Sequence, residues 1–238
     1  MTRFFHGVAT SIGHVRRVNE DSYLARPPLY AVADGMGGHG AGDVASRLAV
    51  EELAKCVVPG RALYAESVLV ALDDANRVVI EQDEANGMGT TITGLAGVET
   101  VDGARLMVFN VGDSRVYRLT GGRLDQVSVD HSEVQELVRA GALTREQART
   151  HPRRNIVTRA LGSDAILRPD HWLLPVIAGD RYLLCSDGLF GELPDEEILP
   201  LLAAADPQRA ATTLVSAADD AGGHDNTTVI VVDVGDDV

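Results

Sequence analysis

Apolar residues along the chain fall into short runs broken by glycine-, asparagine- and aspartate-rich segments, a pattern that predicts strands. FFHGVAT, DSYLAR and LYAVA come first. The period then changes: Val44, Leu48, Leu53 and Val57 recur near one face at helical spacing and predict a helix over about 43–57. Leu69, Leu72 and Val79 mark a second over about 63–86. The strand pattern returns in TTITGLAGV, ARLMVFNV and SRVYRLTGGRLDQVS, where TGG predicts a hairpin turn. SEVQELVRAGAL predicts a short helix ending at Gly141, and Thr144 with Gln147 predict a capping box that opens another. HPRRN reads as an exposed loop. HWLLPVI and RYLLCS read as strands, DEEILPLLA and DPQRAATTLVSAADDA as helices, and TTVIVVDV as a last strand. This order is not a βαβ alternation. Hairpin-length links predict antiparallel sheets with helices packed outside them.

The 238 residues show no Pro/Ser-rich linker, charge block or fixed-period repeat, so a single domain over 1–238 is expected. Aromatic residues are only 4%, so Val, Leu, Ile and Ala must form the core. The net charge of −14 would repel phosphate backbones and anionic lipid, so neither nucleic acid nor membrane is an expected partner. Most of that charge serves solubility; the pointed alternative is that some carboxylates gather on cations. No apolar run approaches the roughly 20 residues of a membrane span, and the N-terminus lacks a signal-peptide core, so a cytoplasmic protein is expected. Cys56 and Cys185 give no disulfide framework, and Cys185 in RYLLCSDG reads as a packed thiol. No tail, anchor or sensor domain is expected after VGDDV.

AVADGMGGHG contains G-x-G-x-x-G after an apolar run and before a helical segment. A dinucleotide site needs a βαβ unit with an acidic residue about 20 positions on. Here that position falls in PGRALYAES, between two helices, and Asp34 would face the anion. No G-K-[ST] follows either, so nucleotide binding is not expected.

Asp34 belongs instead with four other acids in similar settings. Asp21 precedes a strand in VNEDS, Asp34 ends one in LYAVADG, and Asp113 ends another in NVGDS. Asp187 follows RYLLCS, and Asp225 precedes the last strand in GGHDNTTVIVV. Any one of them alone would be a turn or cap residue. If the five converge, their repulsion needs hard divalent cations. An all-oxygen set suits Mg²⁺ or Mn²⁺, and no H-x₃-H or C-x₂-C pair argues for zinc.

GHVRRVNEDS, VADGMGGHGAG, NVGDSRVY, DHSEV, LCSDGL and GGHDNTTVIVV resemble, in this order, motifs of the metal-dependent protein serine/threonine phosphatases, the type 2C family, in its bacterial branch. The resemblance implies an α+β fold, a four-layer sandwich of two antiparallel β-sheets flanked by helices on both outer faces. It implies hydrolysis of phosphoserine and phosphothreonine in proteins by a water that two metals activate for in-line attack, without a phosphoenzyme. Asp34 would bridge both ions, the Gly35 carbonyl would hold one, and Asp187 and Asp225 the other. Asp21 would act directly or through water, and Asp113 with Asp187 would hold a weaker third ion. Arg16 would bind the substrate phosphate, with Arg17 a solvated neighbour. The stretch 131–162 would form a flap subdomain. Partners would be phosphoproteins made by Ser/Thr kinases, acted on by a monomer.

Met36 stands where shorter relatives have a histidine, and His39 lies three residues on. His39 is the candidate proton donor to the leaving alkoxide; a metal-bound water is the alternative acid, and ordering the glycine loop the structural alternative. Asp130-His131-Ser132 sits at an expected helix N-cap, so capping is favoured over a nucleophilic role. Neither cysteine heads a C-x₅-R motif, since Gly191 and Ala62 occupy the arginine positions. Arg153 and Arg154 could steer acidic phosphopeptides or be simply solvated. The alternative function is a non-catalytic relative that binds phosphoproteins or a kinase, but such a relative should have lost a metal acid or the arginine, and none is lost.

Overall fold

The computed structural model describes residues 2–37, 41–83 and 87–235. Its strands form two antiparallel sheets. The first has the order β1 (Arg3–Ser11), β11 (Thr227–Gly235), β10 (Arg181–Cys185), β7 (Arg115–Thr120) and β8 (Arg123–Gln126). The second has β2 (Asp21–Arg26), β3 (Leu29–Met36), β5 (Ile92–Thr100), β6 (Gly103–Val111) and β9 (Asp170–Pro175), with the short β4 (Gly89–Thr90) beside β3. Helices α1 (Gly42–Ala54) and α2 (Ala65–Gln82) cover the second sheet; α5 (Asp187–Glu192), α6 (Asp195–Ala203) and α7 (Pro207–Ala221) cover the first. The short helices α3 (Glu133–Arg139) and α4 (Arg145–Arg149) lie between β8 and β9. This is the expected four-layer α+β sandwich.

Strand alternation explains why the central strands read as continuous apolar runs. In β3, Leu29, Ala31 and Ala33 pack toward α1 and α2, while Tyr30 and Val32 pack between the sheets. In β11, Val229 and Val231 face α7 and its neighbours, while Ile230, Val232 and Val234 face inward. Both faces are covered, so polar positions are nearly absent from these runs, Asp233 of β11 being paired with Arg181. Each fully buried Leu, Ile or Val among them contributes about 1.5–3 kcal/mol relative to exposure. Cys185 is buried and unpaired as a thiol, in line with the packed role expected of it.

Local chemistry follows the sequence at most boundaries. Gly121 and Gly122, both at positive φ, form the hairpin turn of TGG. Thr144 Oγ1 accepts from the Gln147 N–H at 3.1 Å while Gln147 Oε1 accepts from the Thr144 N–H at 2.8 Å, completing the capping box. Ser132 caps α3, as the DHS reading anticipates. Two helices are shorter than periodicity predicts. α1 stops at Ala54 rather than near 57, with the N–H groups of Lys55, Cys56 and Val57 reaching back to carbonyls only three residues earlier, and α2 stops at Gln82. Helix α5, directly after the β10 strand, was not expected; it is six residues long, too short to show a period.

Candidate active site

Register brings the five acids to one end of the sandwich. In the first sheet Cys185 of β10 pairs with Arg115 of β7 and with Val229 of β11. Asp187, Asp113 and Asp225, lying just beyond those pairs, therefore leave the sheet at the same end. In the second sheet Asp21 pairs directly with Asp34, and Ile92 pairs with Val111, which places Thr91 beside the turn that carries Asp113. The acids thus come from the start of β2, the end of β3, the β6–β7 turn, the first position of α5 and the residue two before β11.

Each is held by named partners. Asp21 Oδ2 accepts from Ser186 Oγ at 2.7 Å, while its Oδ1 is buried without a hydrogen-bond partner. Ser186 Oγ also accepts from the Thr228 N–H at 2.9 Å, so it ties α5 to β11 as well as to β2. The Asp34 N–H donates to Thr91 Oγ1 at 3.0 Å, and the Asp34 carbonyl accepts from the Thr91 N–H at 2.9 Å and from Thr90 Oγ1 at 2.9 Å. Asp34 and Asp187 lie close enough for each carboxyl to perturb the other's proton affinity. Asp225 Oδ2 accepts from Arg16 Nη2 at 2.6 Å.

Crowding disturbs the acids as physics requires. Burial, then repulsion from Asp21, Asp187, Asp113 and Asp225, holds the Asp34 carboxyl well above the usual range. Burial foremost raises Asp113 to about 8, Asp21 to about 7 and Asp187 to about 6, with the neighbouring carboxylates adding to each. Clustered acids with raised proton affinity mark a place where positive charge is favoured.

Among the described residues, no three His, Cys, Asp or Glu side chains are drawn into a ready-made cation cage. The donor set nevertheless fits hard cations: several carboxylates, no sulfur, and one buried Asp21 oxygen still lacking a partner. Modest side-chain rotation of these carboxylates around bound cations would complete such a site. The backbone is arranged for close approach. A Cβ on Gly35 would lie 2.0 Å from the Gly42 carbonyl oxygen and 2.6 Å from that of Glu20. Only glycine lets the end of β3 cross the start of α1 and β2 at this distance. Gly35 thus serves a backbone crossing.

Arg16 is half-exposed and lies at the rim, where Asp225 raises its already high pKa through their hydrogen bond. Arg17 is exposed and forms no ion pair with a described residue. His39 lies outside the described residues. In the 131–162 stretch, α4 buries no residue and α3 buries only Val134. Its root is firmer. The His131 ring accepts from the Gly112 N–H at 3.1 Å through Nδ1 and meets Asp170 at 3.2 Å through Nε2. Burial lowers the His131 pKa against the opposing pull of Asp170. Arg153 is bound to Glu133, leaving Arg154 as the solvated one of the pair.

Reasoning from sequence missed the residues that hold the acids: Ser186, Thr90, Thr91 and Asn226. Two of them were visible as polar neighbours inside the motifs, Ser186 immediately before Asp187 and Asn226 immediately after Asp225. The hydrogen-bond partners of the other two depend on register.

Comparison with known proteins identifies the family to which a chain with this two-sheet sandwich, carboxylate cluster and rim arginine belongs. The family described as Protein phosphatase 2C matches residues 14–207. The serine/threonine protein phosphatase PstP of Mycobacterium tuberculosis is 43% identical over 195 residues, 80% of this chain and 37% of that protein. This chain therefore spans little more than a third of that relative. The serine/threonine phosphatase Stp of Listeria monocytogenes is 38% identical over 207 residues, 81% of each chain. A solved structure of the PstP catalytic domain in complex with two manganese ions superposes with a TM-score of 0.88 at 38% identity, covering 99% of this chain and 100% of that one. The chain belongs to the protein phosphatase 2C family.

Proposed function

We propose that this protein removes phosphate from phosphoserine and phosphothreonine of other proteins, using Mg²⁺ or Mn²⁺. The observation that carries the proposal is the meeting of Asp21, Asp34, Asp113, Asp187 and Asp225 at one end of the sandwich, with raised proton affinities and an unpartnered Asp21 oxygen. The PstP catalytic domain whose solved structure holds two manganese ions supports the same reading.

Asp34 would serve both cations, the Gly35 carbonyl one of them and Asp187 and Asp225 the other, and Asp21 would act directly or through water. Asp113 with Asp187 would hold a weaker third. When bound, such a cation pair supplies the charge that offsets the carboxylates and lowers the pKa of a water poised to attack phosphorus in line. Arg16 releases Asp225 and takes two phosphate oxygens in its planar fork, orienting the phosphoryl group and countering its charge. Its exposure at the rim suits a phosphate presented on a protein surface. Attack by water leaves no phosphoenzyme, and no nucleophilic side chain is needed. His39 is the proposed donor of the proton that the serine or threonine alkoxide requires. The single domain over 1–238, the flap at 131–162, phosphoproteins of Ser/Thr kinases as partners, a monomeric state and a cytoplasmic setting belong to the same proposal. Among the described residues no helix is long and apolar enough to cross a membrane.

The test is release of phosphate from a phosphothreonine peptide. Turnover should need millimolar Mn²⁺ or Mg²⁺, stop with chelator, and drop by at least 10³-fold in a folded Asp34→Asn variant, as expected when transition-state charge stabilisation is lost. Metal-independent turnover, or none from any phosphopeptide or aryl phosphate, would overturn the proposal.

A further inference from the structure

The residues between β1 and β2 carry Arg16 and belong to no strand or helix. A long side chain on such a segment would ordinarily be poorly aimed, because little of the supporting backbone is buried. Here the support comes from the far end of the sequence. Asn226 is only 5% exposed. Its Nδ2 donates to the carbonyls of Ile12 at 3.0 Å and Val18 at 3.1 Å, and its Oδ1 accepts from the Glu20 N–H at 2.8 Å. These partners decide the orientation of the amide, since the flipped form would set oxygen against two carbonyls. One side chain thereby ties both ends of the Arg16 segment, and the residue before Asp21, to the start of β11.

The connection closes on itself. The Asn226 N–H donates to Asp225 Oδ1 at 2.8 Å, and Asp225 Oδ2 accepts from Arg16 Nη2 at 2.6 Å. Residues 225 and 226 thus hold the Arg16 segment at its backbone and the guanidinium at its tip. Asparagine suits the position because two acceptors and one donor must be met by one short, neutral side chain. Aspartate lacks the donors, and glutamine is a methylene too long for a buried space.

We propose that Asn226 is the positioning residue for Arg16, pre-setting the segment 12–18 so that the guanidinium meets the substrate phosphate without reordering the loop. The inference rests on the phosphatase reading and adds to it the residue that makes the phosphate site preorganised. Binding of the phosphate then avoids most of the ordering cost that a free loop would impose.

A double-mutant cycle on the full chain with Mn²⁺ and a phosphothreonine peptide tests this, using Asn226→Ala, Arg16→Ala and the pair. Asn226→Ala should raise KM by about tenfold with a smaller change in kcat, the signature of misplaced binding rather than damaged chemistry. Inhibition by inorganic phosphate should weaken in parallel. In the Arg16→Ala background the same substitution should have little further effect on KM, because the residue it positions is already gone. Hydrogen exchange of metal-free protein supplies a readout independent of turnover: amides of residues 12–20 should exchange faster in Asn226→Ala, while those of 228–234 stay protected. Additive effects in the cycle, a kcat loss at unchanged KM, or unaltered exchange in 12–20 would overturn the proposal. Should Asn226→Ala fail to fold, Asn226→Ser enters the same cycle. A parent protein inactive on every phosphopeptide would sink the phosphatase reading instead, and the exchange result would still judge the clamp.

Discussion

Asp113→Asn should make the metal-free protein more stable, and increasingly so as pH rises. Asp113 is only 6% exposed, and burial, followed by Asp187 and Asp130, pushes its carboxyl from 3.8 to about 8. Between about pH 4 and about pH 8 the folded state keeps a proton that the unfolded chain has released. Stability therefore falls as pH rises through this window, by about 1.4 kcal/mol per pH unit for one such group. From about pH 5 to about pH 7.5 the ceiling for Asp113 alone is ~3 kcal/mol. Asp21 and Asp187, raised to about 7 and about 6, share the proton uptake with it. The expected divergence between variant and parent is accordingly about 1–2 kcal/mol over that interval. Asparagine keeps the volume and has no charge to desolvate. Urea unfolding followed by the fluorescence of Trp172, the single tryptophan, reads the difference in chelator at three pH values, provided the m-values agree. Parallel pH dependences for the two proteins, or a variant that loses ground as pH rises, would refute the reasoning. Millimolar Mn²⁺ should narrow or reverse the ranking, because the parent gains more from a ligand that binds the folded state alone.

Gly35→Ala should cost more than about 3 kcal/mol, as overpacking against backbone does, since the new Cβ meets the Gly42 and Glu20 carbonyl oxygens; a thermal melt within a degree or two of the parent would contradict the crossing described here. Arg16→Lys should keep the charge but lose the planar fork, raising KM for a phosphopeptide by about tenfold in steady-state kinetics; an unchanged KM would remove Arg16 from the phosphate. Ser186→Ala takes the hydroxyl from Asp21 Oδ2, and should weaken the apparent Mn²⁺ affinity by about 10-fold to 100-fold in activity titrations, the usual effect of losing a group that orients a ligand.

The sequence by itself determined the materials: strand runs buried on both faces, two amphipathic helices, the capping box at Thr144, the hairpin at Gly121 and Gly122, and five aspartates at strand ends. These are local properties, set by the period of apolar residues and by the backbone preferences of a few residue types. The motif order was legible too, because it lies in the chain itself. Tertiary structure alone decided that Asp21 faces Asp34, that Asp113, Asp187 and Asp225 leave their sheet at one end, and that Ser186 and Asn226 hold them. Asn226 meets Ile12 and Val18 across more than 200 residues, and only pairing β1 with β11 brings those segments together. The helix α5 stayed hidden for a related reason, since one and a half turns leave no periodic trace in sequence and become stable only when packed against the core.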